Sequence, residues 1–140
     1  MVSKRLNVSA YDGMPPSDDT VEDRLIQGDI PLYLPEEIVE AAQTKTIPWT
    51  KKSISNIKSL ELELEEVVNL VVKAVTTGRY LKSVWCTNHT KGSWAACDSY
   101  VVSDKYWNAN AQKELDCEYY LKFALGKSGS LVLVVSCHVG

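Results

Sequence analysis

At Gly78 the hydrophobic period of this chain changes, and that change constrains the fold more than any other feature. Before it, Leu64, Val67, Val68, Val71, Val72 and Val75 recur at spacings of three and four, which predicts a helix over 63–77 closed by Gly78. Its β-branched residues are weak helix formers, so burial against other elements must hold it. After Gly78 apolar residues alternate with polar ones, the period of strands. Helices followed by strands imply an α+β fold rather than βαβ units. The expectation is N-terminal helices packed on a small, mostly antiparallel sheet. The chain has 140 residues, 45% of them hydrophobic, which suits one domain with a core.

The remaining elements follow from local chemistry. Pro35-Glu36-Glu37 opens a short helix with an apolar side of Ile38, Val39, Ala41 and Ala42. Thr50 is the expected N-cap of a second, with Ile54 and Ile57 facing inward. Arg79–Thr87 reads as the first strand, with Tyr80, Lys82, Val84 and Cys86 on one face and Leu81, Ser83 and Trp85 on the other. A loop over 88–93 leads to a second strand over 95–103, and 108–113 reads as irregular. Strands over 117–125 and 130–139 form a hairpin around Gly126-Lys127-Ser128-Gly129. The last strand is apolar on both faces, so it should be central and covered by the long helix. Residues 1–34 form a polar arm, frayed or ordered only on contact, and 35–140 form the domain.

Charge and cysteine usage limit the function. The net charge is -3, whereas nucleic-acid-binding domains are usually basic. The arm, however, holds Asp12, Asp18, Asp19, Glu22, Asp23 and Asp29, which leaves the rest close to neutral and compatible with a local basic groove. No signal peptide is legible and no apolar run approaches the ~20 residues of a membrane span. The expected compartment is therefore the cytoplasm, with Cys86, Cys97, Cys117 and Cys137 reduced. No CxxC pair exists and the His and Cys spacing is irregular, so no metal site is expected and the cysteines read as small buried hydrophobes. P-loop, dinucleotide-turn, nucleophile-elbow and HExxH motifs are absent, and no cofactor is implied.

Two stretches carry chemistry. Residues 79–91 gather Arg79, Tyr80, Lys82, Trp85, His89 and Lys91, and 119–123 hold Tyr119, Tyr120 and Lys122. Cations bind phosphates, aromatic rings stack on bases, and His or Lys moves protons. Tyr120 and Lys122 should share a face, and Lys82 converges on Tyr120 if the two strands lie close. Trp94, Asp98 and Tyr100 cluster at the second strand, where Asp98 is placed to orient a base or pair with Lys82. The plain alternative for each stretch is a strand with one exposed face.

In order along the chain, Thr50-Lys51-Lys52-Ser53-Ile54, Leu60-Glu61-Leu62-Glu63, Asn69, Tyr80-Leu81-Lys82-Ser83, His89, Trp94, Asp98, Tyr100, Tyr120-Leu121-Lys122 and 131–136 resemble the MqsR (motility quorum-sensing regulator) family of toxins. The resemblance spans about residues 50–138. It implies a RelE-like fold and a metal-independent endoribonuclease that cuts single-stranded mRNA and is restrained by an antitoxin. It assigns Lys82 and Tyr120 to catalysis, with His89 assisting, and Arg79, Tyr80, Lys91, Trp94 and Lys122 to RNA binding. Asp98 and Tyr100 would support the site. The family's functional Gln has no counterpart, since Ala95 follows Trp94, and Val101 stands where the family has Arg. These departures motivate the alternative of a non-catalytic protein that binds a protein or small ligand. A sheet edge that pairs with a second copy would make it a dimer.

Overall fold

The computed structural model describes residues 6–16, 24–88, 93–108 and 110–140. Among these residues the strands are β1 (Leu6–Asn7), β2 (Leu25–Ile26), β3 (Thr46–Pro48), β4 (Arg79–Thr87), β5 (Ser93–Asn108), β6 (Lys113–Leu125) and β7 (Val132–Val139). The helices are α1 (Pro35–Thr44), α2 (Lys51–Ser59) and α3 (Leu64–Thr77). The expected RelE-like α+β arrangement, N-terminal helices on a small sheet, is overturned. All seven strands join one sheet in the order β2-β4-β5-β6-β7-β3, with β1 beside β5. Strand residues outnumber helical ones, and β1 and β2 precede every described helix.

Two kinds of strand were hidden from the sequence. β1 and β2 have two residues each, too few to show any period. The far halves of β5 and β6, over 104–108 and 113–116, receive no strand assignment from sequence: charged residues dominate them and the adjacent Tyr106 and Trp107 break the two-residue alternation. They pair without interruption from Ser103↔Glu118 to Asn108↔Lys113. An exposed ion pair, Lys105 to Asp116 at 2.6 Å, crosses this arm. Residues of the polar arm are thus part of the sheet: β1 runs parallel to β5 and β2 antiparallel to β4.

The helices form where capping and apolar spacing agree. Thr50 caps α2: its Oγ1 accepts from the Ser53 N–H at 3.0 Å, while the Thr50 N–H donates back to Ser53 Oγ at 3.2 Å. Asn56 Oδ1 accepts the Cys137 N–H at 3.0 Å, which fastens α2 along β7. Ile54, expected to face inward, is 54% exposed; Ser53 takes the buried position because the cap points it at the sheet. α3 buries Val67, Leu70, Val71 and Ala74, the two valines and the leucine worth about 1.5–3 kcal/mol each. Leu64 is exposed. Gly78 ends α3 without a left-handed turn; a Cβ there would meet the Ala74 carbonyl at 2.5 Å and the Val101 carbonyl at 2.8 Å, so the requirement is close approach.

β7 is buried from Val132 to Cys137 and flanked by β6 and β3. The long helix packs on β5, and it is α1 and α2 that contact β7. The core on the helix side includes Tyr100, Val102, Tyr119, Leu121 and Phe123, with the Tyr100 and Phe123 rings stacked at 5.6 Å. Both outer strands are short, two residues in β2 and three in β3, and β3 ends in Pro48. Short edges interrupted by Pro resist edge-to-edge pairing, whereas the outer part of the β5–β6 hairpin, past Val101 and before Tyr119, pairs with no third strand among the described residues and is the longer open edge.

Candidate functional site

One irregularity sets the site. Tyr80 pairs with Tyr100 and Lys82 with Ser99, so Leu81 is an extra residue, a β-bulge. A bulge shifts the alternation of side chains. Tyr80 therefore turns to the helix side, where its hydroxyl bonds Ser83 Oγ at 2.6 Å and its ring meets Tyr100 edge-on at 5.7 Å. Lys82, Val84 and Cys86 keep the opposite face. The expectation that Tyr80 shares their face fails for this reason.

Register then aligns two rows on that opposite face. One is Lys82–Ser99–Lys122–Ser136, across β4, β5, β6 and β7. The next is Arg79–Val101–Tyr120–His138. The Tyr120 and His138 rings stack at 5.6 Å with 12° between planes.

A groove opens on this face. One cleft of about 230 Å³ is lined by Arg24, Thr50, Lys52, Cys86, Thr87, Lys122, Val135 and Ser136. A second of about 380 Å³ is lined by Arg24, Leu25, Lys82, Val84, Trp85, Cys86 and Lys122. Cys86 and Ser136 lie on strands separated by two others yet border one cleft, so the sheet curls around Lys122. Arg24, Lys52, Lys82 and Lys122 thus border the groove, and among the described residues no carboxylate lines either cleft. Ser99, 6% exposed, lies between Lys82 and Lys122, and its Oγ has no hydrogen-bond partner among the described residues. An orphaned buried hydroxyl between two cations fits an anion that both would attract.

Cys86 borders both clefts, and Cys97 is buried beneath the same face. Cys86 and Cys97 occupy the same face, since Cys97 pairs with Val84. The neighbouring Cys97 thiol holds the Cys86 thiol below its ordinary value; burial opposes this, and the charges of Lys122, Arg24 and Lys52 add to it. Burial pushes Cys97 well up, as does its bond to Cys86.

The residues expected from sequence divide between the two faces. Lys82, Lys122, Tyr120 and Arg79 share the groove face. Trp94 is 2% exposed in a small core with Trp85 and Ala96, and the Arg24 guanidinium sits 5.3 Å from its ring centre. Tyr100 is buried on the helix side. Asp98 faces that side too, away from Lys82, and accepts from the Leu32 N–H at 3.0 Å, the Tyr33 N–H at 3.2 Å and Ser83 Oγ at 2.6 Å. It is a clamp for the segment leading into α1; burial nonetheless pushes its carboxyl above the usual range. His89 and Lys91 lie outside the described residues. Arg24, Lys52, Ser99, Ser136 and Cys86 were not singled out by sequence. Only Lys52, two residues after the cap Thr50, carried a signal that α2 would aim it.

No protein-family model, curated protein or solved structure matches the chain. Among the described residues no cluster of three or more His, Cys, Asp or Glu is placed to hold a metal ion. No helix among them is long and apolar enough to cross a membrane.

Proposed function

We propose that the curled face binds single-stranded RNA and that the chain is a toxin-type, metal-independent endoribonuclease. One observation carries this reading: on a chain of net charge -3, Lys52, Lys82 and Lys122 converge with Arg24 on one groove that no carboxylate of the described residues lines. A groove bordered by lysines attracts anions, and a strand of phosphates is the anion an elongated groove best fits. A phosphate between Lys82 and Lys122 would meet the Ser99 hydroxyl, and the Tyr120–His138 pair in the next row would take a base.

Cleavage would proceed by attack of the ribose 2′-hydroxyl on the adjacent phosphate. Lys82 would neutralise charge growing on the pentacoordinate phosphorus, and Tyr120 would position the phosphate or pass a proton. This step rests on the likeness of Lys82 and Tyr120 to the toxins' functional pair, since the sheet departs from the fold that likeness implied. A toxin of this kind would be held by an antitoxin.

A second reading, RNA or other anion binding without cleavage, is favoured by the intervening strand. β5 separates Lys82 from Tyr120, and Tyr120 is engaged with His138. The deciding experiment incubates a long single-stranded RNA in EDTA with wild type and Lys82→Ala, recording both binding and cuts. Cuts by wild type alone support the nuclease. Tight binding without cuts supports the second reading, and absence of binding removes the nuclease and RNA as the occupant.

A further inference from the structure

We propose that the cleft bordered by β2 and β4 is a nucleobase pocket, which seats the base of a nucleotide whose phosphate lies between Lys82 and Lys122. The inference deepens the RNA reading, on which it rests for the position of the phosphate. Strand register carries it. Leu25 pairs with Val84 across β2 and β4, so both side chains stand on one face. Val84 pairs in turn with Cys97 on β5. The row Leu25–Val84–Cys97 therefore runs beside the row Lys82–Ser99–Lys122 on the groove face. The first row is apolar and the second carries two lysines. Two residues of strand separate them, about 7 Å. Cys97 is fully buried, so Leu25 and Val84 are what the apolar row offers a ligand, and Leu25 is 46% exposed.

The cleft that Leu25 and Val84 line has a volume of about 380 Å³, with Lys82 and Lys122 on its border. Ligand pockets run upward from about 300 Å³, so the space suits a single nucleotide unit. An apolar wall beside cations selects a ligand that joins an apolar ring to an anion. A nucleotide is such a ligand, and its ribose bridges the gap between the two rows. Bases taken out of a stack are held by apolar and aromatic side chains while basic residues track the backbone. On the far side of the lysine row stands the Tyr120–His138 pair. The groove then holds two successive bases, one on Leu25 and Val84 and one on the ring pair, with the phosphate between them on the lysines.

The test titrates the full chain at low salt with adenosine 5′-monophosphate and with ribose 5-phosphate, followed by protein NMR. Fluorescence anisotropy with a labelled single-stranded oligoadenylate runs in parallel. The nucleotide should bind about tenfold more tightly than the sugar phosphate, because only it covers the apolar wall. Leu25→Ala should bring that ratio close to one and leave ribose 5-phosphate binding unchanged, whereas Leu25→Met, which keeps the wall apolar, should retain the ratio. Leu25 is half exposed on an outer strand, so neither change opens the core. Lys122→Gln should weaken both small ligands alike. A wild-type ratio near one, or a ratio that survives Leu25→Ala, would overturn the pocket, and oligonucleotide binding in the same samples would leave the RNA reading standing. A tenfold ratio that needs Leu25, on a chain that does not bind the oligonucleotide, would overturn the RNA reading instead and support a pocket for free nucleotides.

Discussion

Lys82 and Asp98 belong to neighbouring rungs of the same strand pair, Lys82↔Ser99 and Ser83↔Asp98, yet they serve opposite faces. Sequence spacing alone offered them to each other as an ion pair. The register puts Asp98 under the helices, where it holds Leu32, Tyr33 and Ser83. This makes a stability prediction. Asp98 is 1% exposed, and its carboxyl is raised by burial, with its three donors working against that rise. A raised acid binds its proton more tightly in the folded state. Its titration therefore favours folding below the ordinary Asp value of ~3.9, and that contribution is lost as pH rises through the folded value. Asp98→Asn should remove this pH dependence. At neutral pH it should also destabilise by about 1–3 kcal/mol, because the amide group presents N–H to backbone donors that need an acceptor. Urea unfolding of both proteins across a pH series checks this; an unchanged neutral midpoint would contradict the clamp. Trp94 teaches the same lesson as Asp98. Its residue type fits RNA stacking, but only the fold reveals that its ring is enclosed.

Among elements, α3, β4 and the β6–β7 hairpin were legible because each shows several turns or alternations of one period. β1 and β2 were too short to show a period, and in the outer half of the β5–β6 arm the adjacent Tyr106 and Trp107 break the alternation. The bulge at Leu81 was visible only as an extra residue between Tyr80 and Lys82, and its effect on facing required the pairing register. α2 illustrates how a correctly read cap can carry function. Thr50 bonds both the first turn of α2 and the Val135 carbonyl, and so fixes where α2 begins on β7. Lys52 rides on that first turn beside the groove. Thr50→Ala should cost about 1–2 kcal/mol in denaturant unfolding and should weaken anion binding as well. Thr50→Ser, which keeps the hydroxyl, should restore both. Loss of stability with unaltered binding would detach Lys52 from the site.

At the scale of the molecule, charge is segregated. Acids crowd the first thirty residues and the outer arm, while Lys52, Lys82, Lys122 and Arg24 meet on the curled face. The groove was only partly legible: Lys82, Lys122, Tyr120 and Arg79 were named from residue type, but their alignment depends on pairing across four strands. If these cations hold RNA phosphates, binding must release counterions. With about four contacts at roughly 0.7 ions each for a single strand, the slope of log affinity against log salt should be about -3. Lys82→Gln or Lys122→Gln should each reduce its magnitude by about 0.7 while lowering affinity for all RNA sequences alike. Fluorescence anisotropy with a labelled oligonucleotide over a salt series measures both quantities. A slope near zero would mean that the groove does not grip the backbone. A steep slope unchanged by either substitution would place the RNA elsewhere on the molecule, and the curled face would then need a different anion to account for its charge.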